Sequence, residues 1–384
     1  MIAPFSFQVP TRVVFGAGCA ANVGAEARDA GCGKVLVVTD QGIVRAGLLQ
    51  GVLDAVKAAG LQAVVYDGVA TNPTLEVVEA AAEQFRLEGC DGLIGLGGGS
   101  SIDTAKLVGV LATNPPPLGQ YEGPNKVRHT IPPLVAVPTA AGTGAEVTFS
   151  ALFNDEARHY KVSVRSPKQS AQAALLDPQM LATLPPRIAA ATGLDTLSHA
   201  LEGYTSTGAN PYSDLLGLEA IALAAEWLPQ FVANPKNTEA AGRMQMACIW
   251  GAICCSNARL GNDHAMAHPL GGHFNLHHGV ACAILLPHVM EYNVIGAPEK
   301  FAEVARVMGM PVDGLSVMEA AKLAPRAVEE LMLLLDMPMT LGAVGVTADK
   351  IPAMAKDAVA SGIHGTNPRL TTYDDIVRLY EKAM

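Results

Sequence analysis

The chain has 384 residues, half of them hydrophobic and only 16% charged, with a formal net charge of −10. That length accommodates two domains and a large buried core, and the acidic balance leaves no basic stripe to displace counterions from nucleic acid. The sequence has no uncharged apolar run of the roughly eighteen residues that span a bilayer, no signal-peptide pattern in its opening MIAPFSFQVPTRVVFG, and seven cysteines without a CxxC, which read as reduced, mostly buried thiols. A cytoplasmic protein without nucleic-acid or membrane partners is expected.

Short apolar strands alternate with helices through the first half. Residues 12–15 (RVVF) predict a strand, followed by Gly16-Ala17-Gly18 and an alanine-rich helix. Residues 34–39 (KVLVVT) predict a buried strand ending at Asp40, and residues 62–66 (QAVVY) another, before a turn at 71–74 and a helix over 75–88. Residues 92–96 (GLIGL) run straight into Gly97-Gly98-Gly99-Ser100, and residues 134–137 (LVAV) predict a fifth strand. Continuous apolar strands separated by helices imply a parallel sheet covered on both faces.

Near residue 188 the strand patterns stop. Helical segments rich in Ala, Leu and Met take over, at 220–231, 244–256, 318–335 and 373–382. The expected architecture is an α/β domain over 1–187 and an all-α domain over 188–384, divided near Leu184-Pro185-Pro186, where two prolines interrupt helix. A cleft between the two is the expected active site.

A strand, then GGGS, then SIDTAK on a helix makes a phosphate-binding arrangement, because glycines admit an anion to the backbone and a helix N-terminus offers free N–H groups. The alternative is an ordinary tight turn. A second small-residue loop at 138–148 (PTAAGTGAEVT) also follows a strand, and two such loops suit a dinucleotide better than a simple phosphate. Asp40 ends a strand, where a carboxylate can accept both ribose hydroxyls of an adenosine and would repel a 2′-phosphate, favouring NAD. Its alternative role is a helix cap or a solvated turn.

Five of the ten histidines fall within residues 261–279, GNDHAMAHPLGGHFNLHHG. His264 and His268 are one helical turn apart on one face, and Pro269 with Gly271-Gly272 is expected to end that helix. Asp195 and His199 repeat the one-turn spacing in GLDTLSHALE, so two helices can converge on one divalent ion. Imidazole and carboxylate suit Zn or Fe, and the lack of a thiolate pair argues against a structural cysteine site. Spacing does not choose among His264, His268, His273, His277 and His278.

Taken together, the blocks PTRVVFGAG, GLIGLGGGSSIDTAK, VAVPTAAGTGAEVT, GLDTLSHALEGYTS and HHGVACAILLPHVMEYN, with Asn367-Pro368-Arg369, resemble the iron-containing (group III) alcohol dehydrogenase family over nearly the whole length. The resemblance implies a Rossmann-like α/β domain with a GGGS phosphate loop and a helical C-terminal domain, an architecture like that of dehydroquinate synthase. It implies metal ligands at Asp195, His199, His264 and His278, with Fe(II) favoured and Zn(II) also suited. It places His268 beside the nicotinamide without binding metal, and the alcohol proton must leave through a relay, for which His268 is the catalytic candidate. Asp40, Gly98, Gly99, Ser100, Asp103, Thr139, Thr143 and Lys161 are the implied NAD-binding residues. His277 stands where a proline is common in the family, and His364 is a further pocket histidine; His129, His159 and His288 read as surface or structural.

The implied function is NAD-dependent interconversion of a small alcohol and its carbonyl by direct hydride transfer, in a homo-oligomer. Glycerol dehydrogenase-like or maleylacetate reductase-like chemistry on the same scaffold is the alternative, and a non-catalytic nucleotide- or metal-binding protein a more distant one. Dehydroquinate synthase chemistry would need a basic cluster for a phosphorylated substrate, which these motifs lack.

Overall fold

The computed structural model describes residues 4–156 and 160–384, so His159 lies outside the described residues. Two compact units form, one from Val9–Leu184 and Lys236–Gln245, the other from Met1–Gln8, Pro185–Pro235 and Met246–Met384. One long stretch of the first unit ends at Leu184, and two segments lie across the expected 1–187 and 188–384 partition. Gln8 exchanges backbone–side-chain hydrogen bonds with Asn257, and the Phe5 and Phe7 rings pack on Tyr212, which ties the opening segment to the helical unit. Gln245 donates to the Asp177 carbonyl, and Gly242 abuts Phe15 and Pro178, which ties the later segment to the sheet unit.

The sheet unit contains, in chain order, β1 (Arg12–Phe15), α1 (Val23–Asp29), β2 (Lys34–Val38), α2 (Gln41–Arg45), α3 (Leu48–Ala58), β3 (Gln62–Tyr66), α4 (Leu75–Leu87), β4 (Gly92–Gly97), α5 (Gly99–Thr113), β5 (Gly123–Pro124), β6 (Leu134–Pro138), β7 (Ser150–Asp155), β8 (Tyr160–Arg165) and β9 (Ala173–Leu176). Six strands form a parallel sheet in the order β1-β9-β6-β4-β2-β3. Val35, Leu36, Val37 and Val38 are all fully buried, each contributing about 1.5–3 kcal/mol by the usual transfer measure. From β2 the chain moves outward to β3, then returns to the other side of β2 with β4. Such a reversal opens a crevice at the carboxyl ends of the two diverging strands, where α/β proteins bind ligands.

The sequence reading missed four strands. In β7 the residues alternate between half-buried and buried, the signature of a one-sided strand rather than of the continuous runs sought there. β7 pairs antiparallel with β8, which β5 flanks, in a separate three-stranded sheet. β9 (AALL) is too short and alanine-rich to stand out, yet it bridges β1 to β6.

The helical unit is built from α6 (Pro186–Thr205), α7 (Pro211–Ala233), the later part of α8 (Thr238–Ala258), α9 (Asn262–Phe274), α10 (His278–Asn293), α11 (Pro298–Val307), α12 (Val317–Ala321), α13 (Leu323–Leu334), α14 (Ile351–Ala360) and α15 (Tyr373–Ala383). The single helix expected over 318–335 is two, α12 and α13. The expected stop at Pro269 is also corrected, since α9 carries Pro269 inside it and ends at Asn275, whose φ of 50° is the left-handed cap. Among the described residues, Pro211–Ala233 and His278–Gly296 are long and apolar enough to cross a membrane by length and composition. That qualifies the reading from uncharged runs alone. The second is mostly buried and packs against α6, α9 and α13, as the core helix of a folded unit does.

Candidate active site

Three loops meet at the carboxyl edge of the parallel sheet, after β2, β4 and β6. Gly97 pairs with Pro138 in the ladder, and Thr139 N donates to the Gly97 carbonyl, at 3.0 Å, so the second small-residue loop starts beside the first. α5 begins at Gly99, and Gly98, its cap residue, supplies no side chain to the helix's first N–H groups. Ser101 N and Ile102 N donate to the Gly98 carbonyl, so the N–H groups of Gly99 and Ser100 ahead of them are the donors left for an anion. A Cβ on Gly98 would meet no atom within 4 Å, whereas one on Gly99 would strike the Thr143 side chain at 2.6 Å. The two glycines thus serve different ends: Gly98 keeps an approach open, and Gly99 lets Thr143 lie against the loop.

Asp40 is the N-cap of α2, its Oδ1 accepting from Gly42 N at 2.7 Å and Ile43 N at 3.1 Å. Its other oxygen, Oδ2, accepts from Ser101 Oγ at 3.3 Å. One carboxylate therefore caps a helix and faces the GGGS turn at once. Two more of the expected nucleotide residues make contacts of their own within the sheet unit. Asp103 is turned into the fold, where Oδ2 accepts from Leu152 N at 3.0 Å and Oδ1 lies 3.9 Å from Lys106 Nζ, and burial pushes its carboxyl up to about 6 against the pull of Lys106. Lys161 lies on β8 and donates to Asn72 Oδ1 at 3.3 Å.

In the helical unit the expected metal ligands converge. Asp195 and His199 lie on α6, buried along nearly its whole length. A Cβ on Gly279 would fall 2.2 Å from the Ala191 carbonyl, so a glycine at the start of α10 lets that helix approach α6 closely and brings His278 to Asp195. Around Asp195 Oδ1 stand His264 Nε2 at 3.6 Å, His199 Nδ1 at 3.7 Å and His278 Nε2 at 3.7 Å. These distances are too long for hydrogen bonds. They are close to the separation, about 3.4 Å, of two donors on one tetrahedral ion with bonds near 2.05 Å. Asp195 Oδ1 and His264 Nε2 are buried with no hydrogen-bond partner, an arrangement that costs free energy unless another group satisfies both. Burial opposes ionisation of Asp195, yet the surrounding His199, His278 and His264 hold its carboxyl well below the usual range. The residues fit a divalent cation.

Residues that sequence reasoning passed over organise this cluster. Glu202, two turns after Asp195 on α6, accepts from Asp263 N at 2.6 Å and His264 N at 3.4 Å, placing an anion at the N-terminus of α9. The same carboxylate sits 2.7 Å from His264 Nδ1. Burial disfavours an imidazolium, but Asp195 and Glu202 together push His264 up to about 10. Ser198 Oγ donates to Asp263 Oδ2 at 2.7 Å, and burial followed by the neighbouring Glu202 raises the Asp263 carboxyl far above its ordinary value. Asp195, Ser198 and Glu202 recur at helical spacing, which was the available signal. Cys282, one turn after His278, has Sγ 3.8 Å from His278 Nε2. With Asp195, His264 and His278 it forms a group whose donor atoms all lie within 4.8 Å of one another.

The other histidines separate. His268 faces the cluster, its ring centroid 5.4 Å from that of His278 and 6.3 Å from that of His264. His273 instead lies 2.8 Å from Asp357 Oδ2 on α14. His277 is the cap residue of α10, His364 sits in the 3₁₀ turn Ile363–Thr366, and His129 is exposed. Asn367 locks the end of the chain to this unit, accepting from Asn262 N at 3.3 Å and Asn293 Nδ2 at 2.9 Å while donating to Asn293 Oδ1 at 2.7 Å. Arg369 stacks on Tyr292, at 3.9 Å.

Comparison with known proteins matches both halves of the chain. Residues 10–178 match the iron-containing alcohol dehydrogenase family and residues 189–384 the C-terminal domain of the Fe-containing alcohol dehydrogenase family. The chain is 41% identical over 371 residues to lactaldehyde reductase of Escherichia coli (strain K12), covering 96% of this chain and 97% of that one. It is 35% identical over 379 residues to NAD-dependent methanol dehydrogenase of Bacillus methanolicus, covering 99% and 100%. A solved 1,3-propanediol oxidoreductase superposes with a TM-score of 0.97 at 37% identity, with both chains covered in full. With both halves matched in order and full-length relatives above 30% identity, this chain belongs to the iron-containing alcohol dehydrogenase family.

Proposed function

We propose that the chain is a metal-dependent NAD(H) oxidoreductase that interconverts a small alcohol and its aldehyde or ketone. The observation that carries the reading is the buried Asp195 Oδ1 ringed at 3.6–3.7 Å by nitrogens of His199, His264 and His278. Names of relatives, a lactaldehyde reductase and an NAD-dependent methanol dehydrogenase, support the substrate class and the cofactor. When bound, a divalent ion supplies Lewis-acid polarisation of the substrate oxygen, and the nicotinamide supplies or accepts hydride.

The chain's own residues do the rest. Asp195, His199, His264 and His278 hold the ion, and Glu202 keeps the His264 ring aimed. Gly98, Gly99 and Ser100 at the start of α5 bind the pyrophosphate, with Thr139 and Thr143 beside them. Asp40 selects NAD through the oxygen not engaged by the α2 cap. His268 passes the alcohol proton towards solvent, a task suited to an imidazole that titrates near neutrality. A panel of small alcohols and aldehydes, assayed with NAD(H) and NADP(H) on protein of measured metal content, tests the proposal. Turnover that survives complete metal removal, or no nicotinamide oxidation or reduction by the metal-loaded protein, would sink it.

A further inference from the structure

Asp40 has little acceptor capacity to spare. A carboxylate offers about four lone-pair positions, two on each oxygen. Those on Oδ1 are taken by the backbone, through Gly42 N at 2.7 Å and Ile43 N at 3.1 Å. Ser101 Oγ, on a residue 1% exposed in the first turn of α5, donates to Oδ2 at 3.3 Å. One position on Oδ2 is left. The contact between the two side chains crosses the GGGS turn, and Gly97 makes room for it. A Cβ on Gly97 would stand 2.5 Å from Ser101 Oγ and 3.3 Å from Asp40 Oδ2, and its φ of 145° lies where a side chain is strained. The turn is thus built around a buried hydroxyl that is spent on the carboxylate.

We propose that Ser101 is the positioning residue for Asp40, leaving it one acceptor position, so that the carboxylate reads a single hydroxyl of the adenosine ribose. The inference rests on the NAD reading proposed above and narrows it. An unencumbered carboxylate at the end of this strand would accept from both vicinal hydroxyls. Here the α2 cap withdraws one oxygen and Ser101 withdraws half of the other. The Ser101 bond also opposes rotation of the carboxylate about Cβ–Cγ, so the remaining lone pair keeps one direction. Ser101 therefore acts on the cofactor through Asp40. Discrimination against a 2′-phosphate rests on the negative charge of Asp40 and one hydrogen bond rather than on a bidentate grip.

The test is equilibrium binding to the full chain by isothermal titration calorimetry, which needs no turnover. The probes are NAD and two analogues, one lacking the adenosine 2′-hydroxyl and one lacking the 3′-hydroxyl. Wild type should bind one analogue about tenfold or more weakly than NAD, the loss of a hydrogen bond to a charged acceptor, and the other within about twofold of NAD. Ser101→Ala frees the second position, so both analogues should then bind about tenfold or more weakly than NAD. Asp40→Ala should bind all three ligands alike. A substitution that only loosened the turn would weaken the three together and leave their ratios as in wild type. Wild type that penalises both analogues or neither, or a wild-type pattern in Ser101→Ala, overturns the role of Ser101 and leaves NAD as the cofactor. Discrimination that survives in Asp40→Ala takes the ribose away from Asp40 and overturns the proposal too. No binding of NAD by wild type overturns the NAD reading itself.

Discussion

Glu202 Oε2 lies 2.7 Å from Nδ1 of His264, and the opposite nitrogen of that ring faces Asp195 Oδ1 at 3.6 Å. A carboxylate on Nδ1 sets the tautomer and turn of an imidazole whose Nε2 is a ligand. Because Glu202 also accepts from Asp263 N, it fixes the start of α9 and the aim of its first histidine together. Glu202→Gln should therefore weaken metal binding by about 10- to 100-fold. Asp195→Asn and His199→Ala should do at least as much, and His277→Ala should retain its metal. Equilibrium metal titrations, with circular dichroism to certify the fold, decide it; an unchanged affinity in Glu202→Gln removes Glu202 from this role.

Gly98 and Gly99 separate binding from packing. Gly98→Val adds a side chain into open space, so the folded variant should show a KM for NAD raised by tenfold or more, on the order of 1.4 kcal/mol or above. Gly99→Val meets Thr143 and should lower thermal stability as well. Ser100→Ala should be milder, costing roughly 1 kcal/mol of cofactor binding. Unaltered NAD kinetics in Gly98→Val would show that no pyrophosphate approaches there.

At Asp40 the helix cap and the cofactor preference can be divided by choice of side chain. Asn is as good a cap as Asp, so Asp40→Asn should keep its stability while gaining activity with NADP through loss of the negative charge. Asp40→Ala should gain NADP use too but lose about 1 kcal/mol of stability with the cap. The kcat/KM ratio for NAD over NADP is the readout, and a wild-type preference for NADP contradicts the assignment.

His268→Gln should bind metal and NAD as wild type does, turn over more slowly, and lose one ionisation from its pH–rate profile. Metal depletion in this variant would make His268 a ligand. Full activity with an unchanged profile would route the proton elsewhere.

The sheet unit should carry a pH-dependent stability term from Glu146. This residue is 3% exposed, and burial pushes its carboxyl from 4.5 up to about 7, against its own backbone N–H and Lys106 and with Asp103 reinforcing the shift. A folded value above the unfolded one means stability that is complete below about pH 4.5 and is lost as pH rises through about 7. Glu146→Gln should differ little from wild type at pH 5 and be more stable by on the order of 3 kcal/mol at pH 8. Denaturant melts at both pH values measure the difference, and a gap independent of pH would refute the shift.

Much of the sheet unit could be read from residues alone, because each core strand of a parallel sheet must be apolar on both faces. The runs KVLVV, GLIGL and LVAV state this directly, and the glycines after β4 announce an anion site for a local reason. Asp195 with His199 and His264 with His268 were likewise visible as one-turn pairs, since helical spacing alone brings such pairs to one face. The family blocks then selected His264 and His278 among five histidines.

Other features depended on contacts distant in sequence. β9 is recognised only through its pairing with β1 and β6, and β7 only through β8, because a short or one-sided strand acquires its identity from its neighbours. Pro269 reads as a helix stop locally, yet α9 continues through it, with its N-terminus held by Glu202 from α6. Glu202 looks like an ordinary surface acid on its own helix. Glu202 reaches His264 only because the start of α9 comes back against α6, and His278 reaches Asp195 only because Gly279 lets α10 approach α6 closely, contacts that no residue spacing encodes.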